Sequence, residues 1–193
     1  GAKNVMFKDY LFWQTFHNKQ NIIEELNNGE NIISINHPVL RDAYSSQDLI
    51  NLNGYRLLEI VNNNYAKNID LWDSVLSAGK MVFLILNDDT HDITNPVDFG
   101  YAFTMLNCSN DTKSIIDALG KGAVVGVDLQ PGAKTDPAAK TEQGKMAPMP
   151  VSCTVINDSL KITFNKICSK LKLVGQNGIV KMEADSVSAI SYR

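Results

Sequence analysis

Asp89 and His91 form an Asp-x-His pair inside the polar stretch Asn87-Asp88-Asp89-Thr90-His91-Asp92. A carboxylate oxygen and an imidazole nitrogen two residues apart on a turn can face one cavity, and both ligate zinc, manganese or iron. The same residue types after a strand also serve as plain turn and helix-capping residues. Three further candidate metal ligands, His37, Glu59 and His17, lie upstream, together with Arg41 as a candidate for catalysis. His37 precedes Pro38, which is expected to end a strand and hold His37 extended; its other reading is a His bonded to a neighbouring loop. Glu59 is an acid inside an apolar run, so it needs a partner, a cavity or solvent. His17 falls between two apolar sets and is either a ligand or a cap. Arg41, in the loop from Val39 to Ser46, could face a phosphate or simply be a solvated charge.

The elements that must position these residues are legible in the pattern of apolar residues. Met81 to Leu86 is an unbroken apolar run and reads as a strand buried on both faces, with the Asp-x-His turn at its C-terminal end. That edge is where open α/β sheets and β/α barrels bind ligands. Asn31 to Asn36 and Tyr55 to Asn62 read as strands that deliver His37 and contain Glu59. Helices are expected over 8–28, over a short segment capped by Ser45 or Ser46, over 69–78, briefly around 98–101, and from Lys113 to Leu119 behind Asp111 or Thr112. Strands at 103–108 and 123–127 complete an alternation of strand and helix through five strands. Such alternation implies a parallel sheet with right-handed crossovers.

Composition changes at Gln130. From there to Pro150 the chain is rich in Ala, Lys, Gly and Pro and reads as a flexible linker or loop. Residues 151–193 lean towards alternation in five short runs, with turn signals at Asn157-Asp158 and Gln176-Asn177-Gly178. The expected organisation is an α/β domain over 1–129, a linker over 130–150 and a small β-sandwich-like module over 151–193.

The 193 residues are 44% hydrophobic and 20% charged, the balance of a soluble globular protein. A net charge of -3 argues against general nucleic-acid binding, which needs a basic face. No apolar run approaches the roughly 20 residues that span a membrane. Cys108, Cys153 and Cys168 show no Cys-x-x-Cys spacing and read as small buried apolar residues. The start, Gly1-Ala2-Lys3, lacks an initiator Met, which suggests a trimmed N-terminus and leaves secreted, periplasmic and cytoplasmic settings open.

The segments Ile35-Asn36-His37-Pro38, Leu58-Glu59-Ile60-Val61-Asn62 and Asn87-Asp88-Asp89-Thr90-His91-Asp92, in that order, resemble the later part of a PHP domain. This is the polymerase and histidinol phosphatase superfamily of metal-dependent phosphoesterases, and the resemblance runs over roughly residues 18–128. It implies a distorted β/α barrel with a cluster of divalent metal (Zn, Mn or Fe) at the strand C-termini. It maps the family's final Asp and His to Asp89 and His91, its His-Pro position to His37, and a strand acid to Glu59. It implies hydrolysis of a small phosphorylated substrate by metal-activated water, with Arg41 stabilising the developing charge. The family's opening His-x-His strand, its Asp-Gly turn and a further His and Glu have no counterpart here. The histidines are His17, His37 and His91. A barrel short of those strands would be a partial one, open on one side, which a helix or a second copy of the chain in a homo-oligomer would cover. The competing reading is a non-catalytic binding module, a degenerate scaffold whose appended β domain docks a partner or glycan. A third reading makes all three histidines ordinary fold residues.

Overall fold

The computed structural model describes residues 18–29, 31–62, 67–95, 99–129 and 136–193. The element order is α1 (Lys19–Leu26), β1 (Ser34–Ile35), α2 (Ser46–Asn51), β2 (Leu57–Asn62), α3 (Ile69–Ser77), β3 (Phe83–Asn87) and β4 (Ala102–Leu106). It continues with α4 (Thr112–Lys121), β5 (Val124–Asp128), α5 (Pro137–Met146), β6 (Pro150–Ile156), β7 (Ser159–Val174) and β8 (Val180–Tyr192). The architecture is mixed α/β, with a parallel three-stranded sheet and a separate antiparallel C-terminal sheet. No closed barrel is formed by the described residues.

The parallel sheet has the order β1-β2-β3, with Ile35 opposite Leu58 and Asn62 opposite Asn87. All six residues of β2 are buried, as a central strand covered on both faces requires. Leu58 is fully buried in a cluster with Ile23, Ile35, Leu49, Val75 and Leu86. α3 turns Val75 into this cluster and sends its Trp72 indole N–H to the Val82 carbonyl at 2.9 Å. Capping boxes close the N-termini of α1 and α2 through Asn18 and Ser45. The Lys80 ammonium donates to the Leu49 and Leu52 carbonyls at the C-terminal end of α2, where backbone acceptors lack intrahelical partners.

The alternation of strands and helices does not continue as one parallel sheet. β4 and β5 pair antiparallel, with Thr104 opposite Gly126. The expected parallel arrangement therefore holds for β1, β2 and β3 only. The cause is local. Thr104 Oγ1 accepts from the Leu86 amide at 2.9 Å and donates to the Leu86 carbonyl at 3.1 Å, so a side chain occupies the backbone groups a neighbouring strand would use. β5 then packs on β3 with Gly126 against it, where a Cβ would run into the Leu84 and Leu86 methyls.

The composition reading of 130–150 as a flexible linker or loop does not hold for residues 137–146. Residues 137–146 form α5, begun by Asp136 as N-cap and Pro137 in the first turn. The short helix expected at 98–101 is not formed by residues 99–101, which are bends leading into β4. Of the helix expected over 8–28, residues 8–17 lie outside the described residues, and the described part ends at Leu26.

In the C-terminal half, five short runs become three strands. β7 is one strand of 16 residues and β8 one of 13, their pairing irregular between Thr163 and Cys168. The runs that looked separate are joined across that irregularity. The result is a single antiparallel sheet, β6-β7-β8, where a sandwich would need two. Its far hairpin tip reaches α3, with the Asn177 amide donating to Ser77 Oγ at 2.8 Å. Cys168 is buried as expected, but Cys108 and Cys153 are exposed thiols. No helix among the described residues is long and apolar enough to cross a membrane.

This packing sets two expected outcomes. Leu58→Ala removes a fully buried side chain from the middle of the core, and urea unfolding should show a loss of about 2–5 kcal/mol. Tyr55 is buried, donates to the Leu49 carbonyl at 2.7 Å, and burial pushes its phenol up to about 12. Unfolded chains release that proton near 10. Between these values the folded state holds more protons, so this group makes stability fall as pH rises. Lys80, held below its ordinary value by burial, acts in the opposite sense, since its folded state holds fewer protons. Urea melts across this alkaline window should therefore show Tyr55→Phe losing less stability with pH than the wild type.

Candidate functional site

His37 follows the C-terminal end of β1, Asp89 and His91 follow that of β3, and a buried carboxylate within β2 joins the three strands. Glu59 is 1% exposed. Its Oε2 accepts from the His37 backbone amide and from Asn62 Nδ2 at 3.0 Å. Its Oε1 accepts from Asn87 Nδ2 at 2.9 Å. The loop after β1, the end of β2 and the end of β3 thus meet on one side chain. The expected partner for this buried acid exists, and it is a set of neutral hydrogen-bond donors. Asn62 is buried as well, and its Oδ1 has no hydrogen-bond partner among the described residues.

His37 is not extended as Pro38 suggested. Its φ is +35°, in the left-handed region. The His37 carbonyl accepts from Leu40 at 2.9 Å, and Pro38 is buried at the start of a tight turn. Hydrogen bonds on both sides of its peptide unit therefore override the preference of a pre-proline residue for extended backbone. Arg41 sits further along this turn, exposed and also left-handed with φ +54°.

After β3 the chain spends one acid on structure before it reaches the candidate pair. Asp88 accepts from the amides of Gly100 at 2.5 Å, Tyr101 at 2.7 Å and Ala102 at 3.0 Å. A carboxylate receiving three backbone N–H groups is a strong local clamp, and it fixes the return of the loop into β4. Asp89 comes next, half-buried and left-handed with φ +54°. His91 is exposed in the bend beyond it. Asp92 closes the loop by accepting from Thr94 Oγ1 at 2.6 Å and from the Thr94 amide at 2.9 Å. These bonds, the hydroxyl's first, hold its carboxyl below the usual carboxylate range.

α5 braces the same loop from the other side. Lys140 is 6% exposed, and its ammonium donates to the Phe99 carbonyl. It lies 4.9 Å from the Phe99 ring centre and 5.4 Å from that of Tyr101. A cation over aromatic faces is attracted by their quadrupoles. Lys140 and Asp88 therefore grip residues 99–102 together.

The edge brings His37 and Asn87 to either side of Glu59, and Asp89 and His91 continue from Asn87. Among the described residues, no three His, Cys, Asp or Glu side chains come together as a group that could hold a metal ion. His17 lies outside the described residues. The donors are right in kind for a divalent cation and too few to make a centre on their own. Sequence reasoning misses four residues that organise this edge: Asn62, Asn87, Asp88 and Lys140. Asn87 and Asp88 sit in the same run as Asp89. Asn62 sits at the end of an expected strand. Lys140 carries no signal inside its Ala- and Lys-rich segment.

Replacing Asp88 by Ala leaves three backbone donors without their acceptor. Hydrogen exchange at Gly100, Tyr101 and Ala102 should speed up, and stability should fall by about 2 kcal/mol. Unchanged exchange at these amides would dismiss the clamp. Comparison with known proteins returned no matching family model, curated protein or solved structure.

Proposed function

We propose that this edge is part of the site of a PHP-like metal-dependent phosphoesterase, with Asp89 and His91 as donors, His37 beside them and Arg41 facing a phosphate. The observation that supports the reading is the Glu59 junction, which joins the His37 loop and the root of the Asp89/His91 turn across three parallel strands. In this reading the three strands belong to a distorted barrel, and the substrate is a small phosphorylated molecule. Glu59, offered from sequence as a ligand, has both oxygens engaged by hydrogen bonds. The described residues supply a partial donor set, so a working centre requires further donors.

A second reading has its own support. A buried acid satisfied by neutral donors, with no group of metal-ligating side chains among the described residues, suits a non-catalytic binding module built on the same scaffold.

Calorimetric titration with Mn2+ and Zn2+, together with hydrolysis of an aryl phosphate, separates the two. The phosphoesterase reading expects one divalent ion bound, with Asp89→Asn and His91→Ala each weakening it by at least about tenfold. It also expects hydrolysis that depends on the added ion. A chain that takes up neither ion and stays inert with both would leave the binding module standing.

A further inference from the structure

His37 carries a backbone strain that something must hold. Its φ of +35° is unusual for a residue with a Cβ, and more so for one that precedes proline. Such a conformation persists when its surroundings over-determine it. The surroundings here are specific. The His37 amide donates to Glu59 Oε2, its carbonyl accepts from Leu40, and the Pro38 carbonyl accepts from Tyr44 at 2.9 Å. Glu59 is also the only one of these partners on a neighbouring strand, and its other oxygen holds Asn87, the last residue before the Asp88–Asp92 loop.

We infer that Glu59 is a positioning residue and not a ligand: it fixes the left-handed His37 backbone and the root of the Asp89/His91 turn in one register. The hydrogen-bond geometry carries this inference without any metal. Its importance for ion binding rests on the function proposed above.

The two roles make opposite demands on the side chain. A positioning acid needs length and acceptor geometry. A ligand needs charge. Glutamine keeps the length: its carbonyl oxygen can accept from His37 and Asn62, and its amide can donate to Asn87 once the Asn87 amide turns over. Aspartate keeps the charge and draws its oxygens back from both neighbours.

The test compares Glu59→Gln with Glu59→Asp in the full chain, using two readouts. The first is the His37 imidazole proton resonance at fixed pH, assigned with a His37→Gln variant. The second is Mn2+ affinity. Positioning predicts that Glu59→Gln leaves the His37 resonance in place and holds affinity within about threefold. It predicts that Glu59→Asp shifts the resonance and weakens Mn2+ by about tenfold or more. The reverse order, with Asp tolerated and Gln not, would overturn the inference. Should the wild-type chain bind no Mn2+, the phosphoesterase reading fails alone, and the His37 resonance still decides whether Glu59 positions that residue. If Glu59→Asp does not fold, Asn87→Ala replaces it, cutting one of the two links; an unmoved His91 resonance in that variant counts against the inference.

Discussion

A carboxylate sealed between three strands is the constraint on which the arrangement of this fold's parallel sheet edge depends. Water is excluded from Glu59, and an acid in such a place is tolerated only where donors replace its hydration. The donors come from three separate stretches of chain: the His37 amide, the Asn62 side chain and the Asn87 side chain. Each of these bonds is short-ranged and directional. A slip of β1 or β3 by one residue would remove a donor from the acid and turn a different side chain inward. The hydrophobic residues of β2 drive burial, but they are interchangeable in a way the acid is not. Leu58 and Val61 favour a buried strand; Glu59 specifies which neighbours lie at which height.

The loop beyond β3 obeys the same logic with different chemistry. Asp88 gathers backbone amides, Lys140 reaches a backbone carbonyl from a separate helix, and Asp92 satisfies Thr94. Three charged side chains are thus committed to loop geometry around Asp89 and His91. The two candidates for chemistry stand on the outer side of this framework. The stretches on either side of them are held by these bonds, which suits groups that must meet a ligand without rearranging.

The parallel strands, α3, α4 and the location of the edge are legible in the sequence because each has a single dominant signal. Met81–Leu86 is apolar throughout, Asp111 caps α4, and Gly122 ends that helix in a left-handed conformation. The failures share a cause as well. β4 and β5 have the apolar content of strands, and nothing in that content encodes direction or shows that Thr104 bonds to both backbone groups of Leu86. α5 is hidden because its helix formers are Ala and Lys with little amphipathic contrast, so Lys140 looks like a solvated charge. An extended His37 is the natural expectation because the local preference imposed by Pro38 is visible, while a partner 22 residues away is not. At the edge itself, residue types are legible and hydrogen-bond partners are not.

The contact between Asn177 and Ser77 spans 100 positions of the chain. The strands of the β7–β8 ribbon are neighbours in sequence and can zip from their own turn outward. The tip must find a helix made long before it. Closing so large a loop lowers entropy without many contacts to offset it until the hairpin is already straight. The ribbon is therefore expected to form as an independent arm and swing onto α3 as one of the last steps of assembly, so that this single amide–hydroxyl bond marks the chain's arrival at its finished shape.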